Sequence, residues 1–127
     1  MKKIVAIIAG GDSSEYGVSM RSANSIYGWI DREKFIPYII EIVGQEWNVL
    51  LSDDKKEPVN RHDFTFQEEG HTVRPDFAYI TIHGTPGENG ILQGYFELLR
   101  IPYSTSGILV ESLTFNKFAL NQYLKGF

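Results

Sequence analysis

The order of apolar segments predicts an α/β protein: an open three-layer α/β/α domain with a mainly parallel sheet and a β-hairpin excursion in the middle. Three observations carry that expectation. Short runs such as Ile4 to Ala9 and Phe77 to Ile82 are apolar almost throughout, the habit of strands buried on both faces. Segments with helical spacing alternate with these runs. Two strand ends then open into glycine-rich loops, "GGDSSE" from Gly10 and "HGTPGENG" from His83, and open parallel sheets take ligands at the carboxyl ends of their strands.

Each element follows in chain order. Ile4 to Ala9 is the first strand. Asp12, Ser13 and Ser14 are candidate N-caps for the helix behind it. Tyr16, Met20, Ala23, Tyr27 and Ile30 recur at steps of four and three and define its apolar face. "FIPYIIEIV", from Phe35 to Val43, is the next strand, and Pro37 places its start near an edge. Trp47, Val49 and Leu51 alternate before a charged turn, which predicts a hairpin. "DFTFQEEGHTVRPD" predicts a second short strand pair turning at "EEGH". Phe77 to Ile82 restores the buried pattern and ends at His83. Ile91, Leu92, Tyr95, Leu98 and Leu99 have helical spacing, "IPYS" is a brief strand, and Leu109 to Lys125 is a final helix carrying Leu113, Leu120 and Leu124.

Bulk properties narrow the function. The 127 residues suit one domain, with 43% hydrophobic and 22% charged residues. Twelve basic and sixteen acidic residues leave a net charge of −4, and no basic cluster stands out. That disfavours nucleic acid and anionic membranes as partners. There is no cysteine, which removes disulfides and thiolate metal sites and fits a cytoplasmic location. No run approaches a membrane span, and "MKK" leads straight into a strand, so no signal peptide is expected.

The loops carry the chemistry. The first lacks the third glycine of a dinucleotide fingerprint and the G-K-[ST] of a Walker loop. Glu15 stands at about the first turn of the helix, where the helix dipole favours a carboxylate. A carboxylate beside a glycine turn repels phosphate and suits an ammonium group. Position alone favours an ordinary helix-start acid, since such residues are common in first turns. In the second loop, His83 at a strand end can donate to a carboxylate or shuttle a proton, and Glu88 can orient its imidazole. Lys117 falls on or beside the apolar stripe of the last helix. It either snorkels to water or reaches a phosphate. His62 and His71 read as surface residues, and no His, Asp and Glu cluster has metal spacing.

Three stretches, "AGGDSSEYGVS", "ITIHGTPGENGILQGYFELLRIPYS" and "LTFNK", resemble in order and distance the amino-terminal part of the D-alanine–D-alanine ligases, an ATP-grasp family of peptidoglycan synthesis. The resemblance spans essentially the whole chain but only the family's leading domain, a Rossmann-like, pre-ATP-grasp domain. Asn89, Thr105 and Asn116 depart from the family pattern.

What the resemblance implies is specific. In the family, ATP and Mg2+ serve to phosphorylate the carboxylate of one D-alanine, and the amine of a second attacks the acyl phosphate. Glu15 matches the glutamate that holds the first D-alanine's ammonium, and Val18 a residue lining that pocket. His83 matches the histidine near the first D-alanine's carboxylate, and Glu88 the acid supporting it. Lys117 matches a lysine directed at ATP phosphates. Residues 1–127 would then be the substrate-binding domain of a longer chain. No bound cofactor and no ligase activity are expected of it alone, its partners being D-alanine, the missing ATP-grasp lobes and a second copy in a homodimer. Glu15 and His83 are expected on one edge of the sheet. The competing readings are a non-catalytic module that binds amino acids or dimerises, and the corresponding domain of a D-alanine–D-lactate ligase.

Overall fold

The computed structural model describes residues 2–11, 13–52, 54–82, 90–105, 121 and 124. Strand β1 (Lys3–Gly10) is followed by helix α1 (Ser13–Trp29), β2 (Phe35–Val43), β3 (Glu46–Leu50), β4 (Lys56–Pro58), β5 (Phe66–Glu68), β6 (His71–Val73), β7 (Phe77–Ile80), α2 (Ile91–Leu99) and β8 (Tyr103–Thr105). Six strands form one sheet in the order β4-β3-β2-β1-β7-β8, while β5 and β6 form a separate antiparallel pair. The β2/β1, β1/β7 and β7/β8 pairs are parallel. The β2/β3 and β3/β4 pairs are antiparallel. The first expected hairpin therefore extends the sheet, and the second is the excursion. That second hairpin turns at Glu69 (φ 50°) and Gly70 (φ 81°), the two left-handed residues a tight two-residue turn requires.

Alternate residues of β1 enter two cores. Val5, Ile7 and Ala9 pack with Ala23 and Ile26 of α1, with Ile30 just beyond it and with Leu124. Ala6 and Ile8 pack on the opposite face with Leu92 and Phe96 of α2 and with Phe64 and Phe66 of the excursion. Helix, sheet and helix are the three layers expected. Asn121 and Leu124 are helical, and the rest of the expected final helix lies outside the described residues. Asn121 closes the end of α1: its amide nitrogen donates to the Trp29 carbonyl at 2.9 Å and its oxygen accepts from the Asp31 N–H at 2.8 Å.

Three expectations change. The buried face of α1 is Ser19, Ala23 and Ile26, continued by Ile30 just past its end, whereas Tyr27 is 40% exposed. The stripe is rotated from the expected one: buried Ser19 takes the place expected of Met20, and Ile26 that of Tyr27. In α2 the buried residues are Leu92 and Phe96, while Ile91 and Leu98 are exposed. Pro37 sits not in an edge strand but in β2, between β1 and β3. The Lys34 and Ile42 carbonyls bond toward β1, so the odd-numbered residues of β2 face β3. The β3 pairing begins only at Ile39, so the proline nitrogen faces a position without a ladder partner.

Candidate functional site

The geometry of the carboxyl edge begins at Gly10. Its φ is +111°, and a Cβ built there would stand 2.3 Å from the Ile42 carbonyl oxygen. Only glycine allows β1 to run this close to β2 while turning out of the sheet. The next residue seals the contact, Gly11 N–H donating to Ile42 at 2.8 Å. From β1 the chain passes through α1 on one face. The connection after β7 passes through α2 on the other. Neighbouring parallel strands whose helices leave to opposite faces open a crevice between their carboxyl ends. Here that crevice lies between β1 and β7.

Two carboxylates stand near the start of α1, and they differ. Glu41, at the end of β2, is buried (6% exposed). One of its oxygens accepts from the Tyr16 hydroxyl and the other from the Lys56 ammonium at 2.9 Å. Burial pushes the Glu41 carboxyl up, but the bonds from Tyr16 and Lys56 outweigh burial and hold it below the ordinary glutamate value. The Tyr16 hydroxyl is raised, first by the bond to Glu41 and then by burial. A cleft of ≈ 540 Å³ opens beside this group, lined by Gly11, Tyr16, Glu41, Val43, Glu46, Asn48 and Lys56. Glu15, one residue before Tyr16, is half-buried. Among the described residues its carboxylate has no hydrogen bond or ion pair. Of the two acids it is the one with capacity left for a ligand.

A second polar group binds the edge together from inside. Ser19 and Thr81 are both fully buried. Gly10 N–H donates to Ser19 Oγ at 3.0 Å, and Ser19 Oγ lies 3.1 Å from Thr81 Oγ1. Thr81 Oγ1 donates to the Ile8 carbonyl at 2.7 Å. A hydroxyl has one proton, so Ser19 is the donor to Thr81. Sequence reasoning missed this pair, as it missed Glu41 with Tyr16 and Lys56. A signal existed for Glu41, a lone acid inside the apolar run "YIIEIV". Serine and threonine at these positions gave none.

The structure places Glu15 and Val18 on α1, both half-buried. His83, Glu88 and Lys117 lie outside the described residues; the described part of that segment ends at Thr81 and Ile82, both buried. His62 and His71 are exposed, as expected. Among the described residues no group of three histidines or acids could hold a metal ion. Among them also, no helix is long and apolar enough to cross a membrane.

Fold and edge define an α/β domain with a crevice between the carboxyl ends of β1 and β7. The chain belongs to the D-Ala–D-Ala ligase N-terminus family, whose profile matches residues 4–106. It is similar to a D-alanine–D-alanine ligase of Phocaeicola vulgatus, with 61% identity over 127 residues, 100% of this chain and 39% of that protein. A ligase of the same name from Bacteroides thetaiotaomicron is 56% identical over the same span. The chain thus spans 39% of the length of these relatives. Among solved structures, D-alanyl-alanine synthetase A from Vibrio cholerae matches with a TM-score of 0.68 and 29% identity, covering 81% of this chain and 31% of that one. The VanG D-Ala:D-Ser ligase from Enterococcus faecalis matches with a TM-score of 0.69 and 32% identity, covering 81% and 35%.

Proposed function

We propose that residues 1–127 are the substrate-binding domain of an ATP-dependent D-alanine–D-alanine ligase acting in the cytoplasm on a peptidoglycan precursor, and that they contribute the site for the first D-alanine. One observation carries this reading: among the described residues the Glu15 carboxylate at the carboxyl edge has no partner, while its neighbour Glu41 is fully engaged. Glu15 takes the α-ammonium, and Val18 lines the pocket beside it. His83, supported by Glu88, faces the substrate carboxylate, and Lys117 is directed to the nucleotide phosphates. ATP supplies the activation of that carboxylate. This chain holds and orients the amino acid, and donors for Mg2+ belong to the ATP-grasp lobes of a longer chain. The name shared by relatives identical to this chain at more than half of the aligned residues supports D-alanine as the second substrate too.

The test uses the full-length protein that contains this chain. Phosphate release with ATP, Mg2+ and D-alanine, together with formation of the dipeptide, is expected, and Glu15→Gln is expected to suppress both. Wild-type protein that consumes no ATP with D-alanine, or a Glu15→Gln variant as active as wild type, would sink the reading.

A further inference from the structure

We propose that the buried hydroxyl pair Ser19 and Thr81 positions the amino-acid site, setting the first turn of α1, and with it Glu15, against the end of β7. The inference rests on the role given to Glu15 above. Two hydroxyls in a protein interior are unfavourable unless their hydrogen bonds are made, and aliphatic side chains would fill the same space without that requirement. Here the bonds are made: the partners are Gly10 N–H, the Ile8 carbonyl and the two hydroxyls themselves, with the Ser19 carbonyl 3.4 Å from the Thr81 hydroxyl. Thr81 also donates its backbone N–H to the same Ile8 carbonyl at 2.8 Å. The relay therefore ties together the turn out of β1, the helix α1 and the exit of β7.

The placement matters because of what lies one step further on. Ser19 follows Glu15 by four residues, so the two share a face of α1, about one 5.4 Å turn apart. Apolar contacts from Ala23, Ile26 and Ile30 hold α1 onto the sheet. Such contacts are non-directional and leave the height of the helix along its axis loosely set. A hydrogen bond has a required distance and angle, so the Ser19 hydroxyl fixes that height. The Tyr16–Glu41 bond anchors the same turn from the β2 side. Loss of the relay is accordingly expected to tilt the turn rather than release it. Misplacement of a binding group by about 1 Å lowers rates by up to about a hundredfold.

The experiment is a set of variants in the full-length protein: Thr81→Val, Thr81→Ser, Ser19→Ala, Glu15→Gln, and Glu15→Gln combined with Thr81→Val. The apparent KM for the first D-alanine, kcat at saturating substrate and the melting temperature are measured for each. Thr81→Val keeps the shape and removes the hydroxyl, and is expected to raise KM about tenfold, the scale of one lost hydrogen bond. Thr81→Ser should restore it. In the Glu15→Gln background Thr81→Val should change KM little further, because the relay acts through Glu15. If Thr81→Val lowers the melting temperature but leaves KM unchanged, or raises KM by the same factor with and without Glu15, the pair is merely structural and the inference is wrong. Should Thr81→Val not fold, Ser19→Ala carries the same comparison. A Glu15→Gln variant with unaltered KM would instead overturn the reading of the site itself.

Discussion

Two glutamates near the start of α1, Glu15 and Glu41, illustrate how environment assigns roles to one chemical group. Glu15 has no partner among the described residues, so its substitution removes ligand contact and little else. A hydrogen bond to a charged group is worth ~1.5–3 kcal/mol, and each ~1.4 kcal/mol is tenfold. In the full-length protein Glu15→Gln should therefore raise the apparent KM for D-alanine by roughly tenfold to a hundredfold, with unfolding free energy within about 0.5 kcal/mol of wild type. Steady-state kinetics beside urea unfolding check both halves, and a large stability loss would show that Glu15 serves the fold. Glu41 is the reverse case. Its native carboxyl lies below the ordinary value of 4.5, because Tyr16 and Lys56 together outweigh burial. A lowered native value means that the unfolded chain binds protons first as pH falls. The stabilisation is thus complete above about the ordinary value and is lost as pH drops through the native one. Unfolding curves from pH 7 to pH 3 should show this acid loss in wild type and a smaller one in Glu41→Gln. Parallel pH profiles for the two proteins would refute the assignment.

At the scale of elements, the tightest constraint is the crossing of β1 and β2 at Gly10. Gly10→Ala would combine a left-handed φ of +111° with a Cβ 2.3 Å from the Ile42 oxygen, which is backbone and cannot rotate aside. Strain and overpacking together should cost ~3 kcal/mol or more, read as a lowered denaturation midpoint; a midpoint equal to wild type would mean that β1 leaves β2 earlier than described. This turn was legible in the sequence because paired glycines after an apolar run have few other uses. The strands were legible for a similar reason: β1 and β7 are apolar on both faces, and "EEGH" can form the left-handed turn between β5 and β6. Helix faces were less legible. All but three of the nine residues of α2 are apolar or aromatic, so two frames fit, and only the sheet selects Leu92 and Phe96. In α1 the buried Ser19 looks polar until Gly10 and Thr81 are brought to it, and Thr81 lies 62 residues away. The site followed the same rule. Glu15 was visible from local position, whereas the engagement of Glu41 depends on Lys56 from the next hairpin but one.

At the scale of the whole molecule, strength of binding depends on how much of the pocket closes around the ligand. The described edge offers Glu15 from one side, half-buried and open to water. An ion pair in that setting is worth ~0–1 kcal/mol, since solvent and salt screen it. A few further contacts of similar size would bring the total to ~4 kcal/mol, which corresponds to a millimolar dissociation constant. Residues 1–127 by themselves should therefore bind D-alanine at millimolar strength or weaker, with no nucleotide hydrolysis coupled to it. Restoring the rest of the length found in relatives should tighten binding by excluding water from the same ion pair, without any change in Glu15. A chemical-shift titration of the 127-residue chain decides this. Perturbations are expected around Gly10, Gly11 and the first turn of α1, and Glu15→Gln should abolish them. Micromolar affinity would mean that a complete pocket already exists in this domain, and shifts confined to residues 47–71 would mean that the ligand sits on the excursion, away from the β1 and β7 ends.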